Sequence, residues 1–167
     1  MTPIKRPTTL LLGGHAGEGK LLLGEGWASN GHWLIRLDCF KGKPKATKGI
    51  QLGELTSGML ARVTQDAKQC ANVEAHLTDE RVTIDKRRYS RARSDSEKTD
   101  RVTHVRFTNT KSDGKPGAFE AWADLAYVEW LADLGPVKWF LGRGYLDPLR
   151  VENNQGETIA ILSPVRK

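Results

Sequence analysis

The sequence predicts an α+β fold in which two helices cover one face of mainly antiparallel sheets. Three observations lead there. Short β-prone runs separated by turn residues occupy most of the chain, and two segments, 52–68 and 123–135, carry apolar residues at helical spacing instead. The order of these elements makes a β-α-β-β-β pattern twice, over 48–109 and 117–165, with no sequence identity between the two copies. At 167 residues, 38% hydrophobic and 28% charged, the chain has the size and composition of one domain with a core of its own. The expected organisation is therefore a single domain over 1–167, with a strand meander at 8–40 followed by the two halves.

The meander rests on residues 8–12 and 19–29, which flank a Gly-rich turn, and on 32–40 after Asn30-Gly31. Asn-Gly between β-prone runs is a strong hairpin signal. Residues 41–49 read as a basic loop. In 52–68, Leu52, Leu55, Met59, Leu60 and Val63 fall at helical spacing, with Gly58 as a weak point. Residues 71–78 and 81–86 predict a hairpin turning at Asp79-Glu80, 88–94 a weak third strand, 94–100 a polar loop and 101–109 an alternating strand. Residues 118–122 are ambiguous. The second helix, 123–135, aligns Leu125, Val128, Leu131 and Ala132 and stops at Gly135-Pro136. Three β-like runs, 137–143, 146–154 and 157–165, complete the chain, with turn chemistry at Asn153–Gly156.

The net charge of +6 is unevenly spread. Arg81, Lys86, Arg87, Arg88, Arg91, Arg93, Lys98, Arg101 and Arg106 crowd one segment, whereas 118–134 holds four acids and no Lys or Arg. Such a basic segment favours phosphate-rich partners through salt-dependent charge neutralisation. No apolar run reaches the ~20 residues of a membrane span, and the N-terminal apolar stretch is too short for a secretory signal. Cys39 and Cys70 are too few and too far apart for a disulfide scaffold or a zinc site, which suits reduced thiols in a cytoplasmic protein. His15, His32, His76 and His104 are scattered without metal-ligand spacing, and no nucleophile elbow is present. The expectation is a protein that is not an enzyme, with no catalytic residues, no metal and no cofactor.

One motif argues superficially otherwise. Gly14 and Gly19-Lys20 have the spacing of a phosphate-binding loop. Leu21, however, stands where a hydroxyl must hold Mg²⁺, and Gly24 and Gly26 interrupt the helix that such a loop has to open. A turn between strands is expected instead.

Two other stretches are more informative. Residues 27–37, Trp-Ala-Ser-Asn-Gly-His-Trp-Leu-Ile-Arg-Leu, resemble the ATDGHRLA strand-turn-strand of bacterial DNA sliding clamps, the β subunits of the replicative polymerase. Ala28, Gly31, His32 and Leu34 match. The terminal Ile-Leu-Ser-Pro-Val-Arg-Lys, 161–167, is similar to the clamp tail MPMRL, with Pro164 and Arg166 matching. Residues 127–166 are similar to the helix and three strands that close a clamp domain. The resemblance implies a clamp-like fold and a DNA replication or processivity role. It also implies a groove that captures short linear peptides from polymerases and other clamp-motif proteins. Carried over by position, one wall would be Ser29, Gly31, His32, Trp33 and Leu34, and the other Leu162, Ser163, Pro164, Val165 and Arg166. Duplex DNA would be met by Arg62 and Lys68 of the first helix and by Lys86, Arg87, Arg88, Arg91 and Arg93. Such clamps carry three domains per chain, so a ring built from this shorter chain implies a homo-oligomer of more copies. A phage or mobile element is the setting this implies. The alternative is a small basic regulator or inhibitor of the phage type, binding nucleic acid or a host protein without forming a ring.

Overall fold

Lys20 opens a β-strand, where a phosphate loop would open a helix. The computed structural model describes residues 20–30, 32–40, 51–90, 93–110, 116–144 and 147–165; the predicted strand 8–12, the Gly-rich turn and the loop 41–49 lie outside them. The run 19–29 is two strands, β1 (Lys20–Gly24) and β2 (Trp27–Ser29), and not one. Glu25 and Gly26 turn between them with φ of 53° and 81°, the pair of left-handed residues that a tight hairpin needs. The Asn30 turn leads to β3 (Trp33–Arg36), with Asn30 Oδ1 accepting from the His32 and Trp33 amides. A 3-10 turn, Leu37–Cys39, follows.

The predicted helix 52–68 starts too early. Gln51–Glu54 form β4, parallel to β1, and the helix α1 covers Ser57–Cys70. Thr56 caps it by accepting from the Met59 amide. The strand is held close: the Leu55 amide donates to the Leu23 carbonyl, and any Cβ on Gly24 would strike the Leu55 carbonyl oxygen. Apolar periodicity ran straight through this cap because Leu52 and Leu55 happen to continue the helical spacing.

The expected hairpin at Asp79-Glu80 is instead a bulge within one strand, β5 (Val73–Ser90). Thr78 Oγ1 donates to the Arg106 carbonyl, and the Arg106 guanidinium pairs with Glu80 at 2.7 Å and with Glu120 at 2.6 Å. These bonds absorb the extra residues without reversing the chain. The polar stretch 94–100 also belongs to a strand, β6 (Arg93–Thr110), antiparallel to β5, and 118–122 lies in β7 (Pro116–Asp124). The first half is therefore β-α-β-β, one strand short of the predicted pattern. The second half is as expected: β7, then α2 (Leu125–Ala132) capped by Asp124, then β8 (Lys138–Leu141), β9 (Leu149–Glu152) and β10 (Thr158–Leu162).

The strands of the described residues join one ten-stranded sheet, ordered β4-β1-β2-β3-β10-β9-β8-β5-β6-β7. Strand β5 pairs with β8 through Val73–Ala75 and with β6 beyond, so it carries the sheet around a corner. After β10 the chain returns to β7, where the Val165 amide donates to the Trp122 carbonyl. The main core, including Trp33, Phe107, Leu131, Leu141 and Leu162, fills the resulting curl against α2. The expectation of both helices on one face fails here. Trp33 and Leu162 point toward α2, while their neighbours Leu34 and Ile161 pack with Ala67 of α1, on the opposite face of the same strands.

The two cysteines are free, Cys39 buried and Cys70 exposed. Burial, chiefly, and the neighbouring Asp38 push the Cys39 thiol up to about 12. An unfolded chain ionises this thiol near pH 9, so the stability it confers is complete below that pH and is lost as pH rises toward 12. Urea midpoints are expected to fall between pH 8.5 and about 11 by more in the wild type than in Cys39→Ala. A thiol reagent in native buffer is expected to label Cys70 alone.

A candidate peptide groove beside helix α1

The sequence separates the two proposed groove walls by more than 120 residues, and strand pairing brings them together. In β3 and β10, Leu34 lies opposite Ile161 and Trp33 opposite Leu162. The ladder continues past the strand ends, since the Ser163 amide donates to the His32 carbonyl at 2.8 Å. Ser29 Oγ donates to the Trp33 carbonyl at 2.7 Å and fixes the adjoining turn.

An open hollow of about 240 Å³ lies at this junction, bounded by β3, β10 and α1. Of the predicted residues, Ser29, His32, Trp33, Leu34 and Ser163 line it. The remainder are placed otherwise. Leu162 is fully buried on the opposite face of β10, in the main core. Pro164 and Val165 follow the tail toward β7 and away from the hollow. Trp33, although at the rim, has a ring 2% exposed that packs against Phe40 and Trp130 at centroid distances of 6.3 and 6.4 Å. It is a core residue first. Gly31 and Arg166 lie outside the described residues.

The wall that sequence reasoning missed is α1. Leu55, Met59, Leu60 and Val63 line the hollow, with Leu22 and Ile161 beneath. Met59 and Val63 remain 46% and 43% exposed, although they stand four residues apart on one helical face. A helix normally buries such a stripe; in α1 only Ala67 is buried. In the sequence, Met59, Leu60 and Val63 signal a helix through their spacing, and nothing in that spacing distinguishes an open stripe from a buried one. On the other flank of α1, Leu60, Glu25, Trp27, Thr64 and Lys68 border a second, more polar hollow.

Arg62 and Lys68 are exposed on α1, which ends beside the start of β5. Lys86, Arg87 and Arg88 lie in β5 and Arg93 in β6; Arg91 lies outside the described residues.

Among the described residues, no group of three or more His, Cys, Asp or Glu could hold a metal ion, and no helix is long and apolar enough to cross a membrane. Comparisons with protein-family models, with curated proteins and with solved structures return no match.

Proposed function

We propose that this chain is a non-enzymatic, clamp-like accessory protein of DNA replication. In this reading it docks short extended peptides of partner proteins in the hollow beside α1, contacts duplex DNA through its basic segment and self-associates. The supporting observation is the hollow itself. Leu22, Leu34, Leu55 and Ile161 give it an apolar floor, Met59 and Val63 leave apolar surface in water, and Ser29, His32 and Ser163 supply polar handles at one end. An apolar cleft with a few polar groups at its rim suits an extended peptide bearing large apolar side chains.

Fluorescence anisotropy of a labelled clamp-binding peptide tests the reading. The wild type is expected to bind, and Val63→Glu, which places a charge at an exposed position in the hollow, is expected to weaken binding at least tenfold (about 1.4 kcal/mol). Trp33→Ala is a poor control because that ring belongs to the core. Equal binding by both proteins, or none by the wild type, contradicts peptide docking at this site. A second reading, a basic regulator or inhibitor acting on nucleic acid or a host protein without a ring, draws on the net charge of +6. Sedimentation velocity separates the two: self-association that grows with concentration supports the first, and a chain that stays monomeric at every concentration supports the second.

A further inference from the structure

Beyond Ala75, β5 pairs with β6, and before His104, β6 pairs with β5; among the described residues neither has another strand partner there. From Arg81 to Ser90 and from Arg93 to Thr103 the two form a two-stranded ribbon. Thr83 and Ile84 are exposed, whereas Val102, opposite Ile84, is buried, so the base of the ribbon is still covered on that face. Isolated two-stranded ribbons are marginal in water, which makes a long one worth explaining.

Charge supplies the explanation. Residues 81–90 and 93–103 hold seven Lys or Arg against four Asp or Glu, so the ribbon carries three of the six net positive charges of the whole chain. Its backbone register pairs Arg88 with Lys98 and Lys86 with Asp100. Like charges facing each other across a ladder destabilise it, and a polyanion between or beside them reverses the sign. Dimensions select the polyanion. Nine residue steps extend about 30 Å, and two strands lie about 4.8 Å apart. The major groove of B-form DNA, about 12 Å wide, admits a two-stranded ribbon, whereas that of A-form RNA is deep and narrow.

We propose that this ribbon enters the major groove of duplex DNA, with its facing cations neutralising phosphates on the groove walls. The proposal rests on the DNA contact in the reading above and specifies which element makes it and in which groove. It replaces the helix contacts of Arg62 and Lys68 as the principal attachment.

The test titrates the full chain against fluorescein-labelled 20-base-pair duplexes over a range of salt concentrations. Each phosphate contact contributes about −0.9 to the slope of log affinity against log salt. The triple variant Arg87→Gln/Arg88→Gln/Lys98→Gln is therefore expected to lose about three units of slope and at least tenfold in affinity. Glu97→Gln, which raises the positive charge of the ribbon, is expected to bind more tightly, an outcome that misfolding would not produce. A duplex carrying glucosylated 5-hydroxymethylcytosine, whose sugars fill the major groove, should bind at least tenfold more weakly, while netropsin in the minor groove should not compete. Absence of binding to any duplex overturns both this proposal and the DNA contact it rests on. Unchanged slope and affinity in the triple variant and in Glu97→Gln overturn the ribbon alone and leave the contact to other residues. Equal affinity for the glucosylated duplex or for duplex RNA, or displacement by netropsin, overturns the groove assignment.

Discussion

Trp33→Ala is expected to lower the unfolding free energy by about 3–5 kcal/mol, the range for a large aromatic removed from a packed interior. The ring is 2% exposed and touches both ends of the core, Phe40 after β3 and Trp130 on α2. Neither neighbour can collapse into the space without moving its own element, so the cavity term adds to the lost transfer energy. For a chain of this length the melting temperature should fall by roughly 10 °C. Trp33→Phe should cost far less, because it keeps most of the ring and removes an indole N–H that has no acceptor among the described residues. Thermal melts of the two variants check the pair. Near-equal losses would mean that ring volume is not what holds α2 against β3.

Arg150→Met is expected to cost about 3 kcal/mol and to loosen α1 in particular. Arg150 is 6% exposed, and its Nε donates to the Ala71 carbonyl at the C-terminal end of α1. Its guanidinium also pairs with Glu152 at 3.0 Å and lies 4.4 Å above the Phe140 ring. Removing it leaves Glu152, itself largely buried, without this cation and leaves the helix end without its tether. Because α1 bears only one buried residue, its position depends on such fastenings more than on packing. Hydrogen exchange should therefore quicken across Ser57–Cys70 while the β9–β10 ladder stays protected. Arg150→Lys should recover little, since a point charge cannot reproduce a planar fork serving three partners. Uniform acceleration throughout the chain would contradict a local role.

The second half of the fold was legible in the sequence because its signals agree with one another. A capping Asp124, a helical stripe and Gly135 bound α2, and the Asn153–Gly156 turn separates β9 from β10. The first half was misread wherever a local signal conflicted with a tertiary bond. Asp79-Glu80 have turn chemistry, yet Arg106 holds Glu80 in a bulge across the sheet. Residues 94–100 have no apolar alternation, and among the described residues β5 is their one strand partner. Alternation reports burial on one face and is silent where nothing is buried. The lining of the hollow was half legible: Ser29, His32, Trp33, Leu34 and Ser163 are named by the resemblance of short motifs, while the floor and the α1 wall depend on which helix crosses which strands. Arg150, a cation inside an apolar strand pattern, gave no sign that its partner would be the end of a helix 79 residues away.

The central claim is that the hollow beside α1 is a peptide-docking site, and methyl-detected NMR tests it most directly. On titration with an unlabelled clamp-binding peptide, the methyl resonances of Leu22, Leu34, Met59, Val63 and Ile161 are expected to shift together and saturably, while Leu141 and Leu149 in the main core stay fixed. Saturable shifts elsewhere with the hollow unmoved, or no shifts at all, would contradict it.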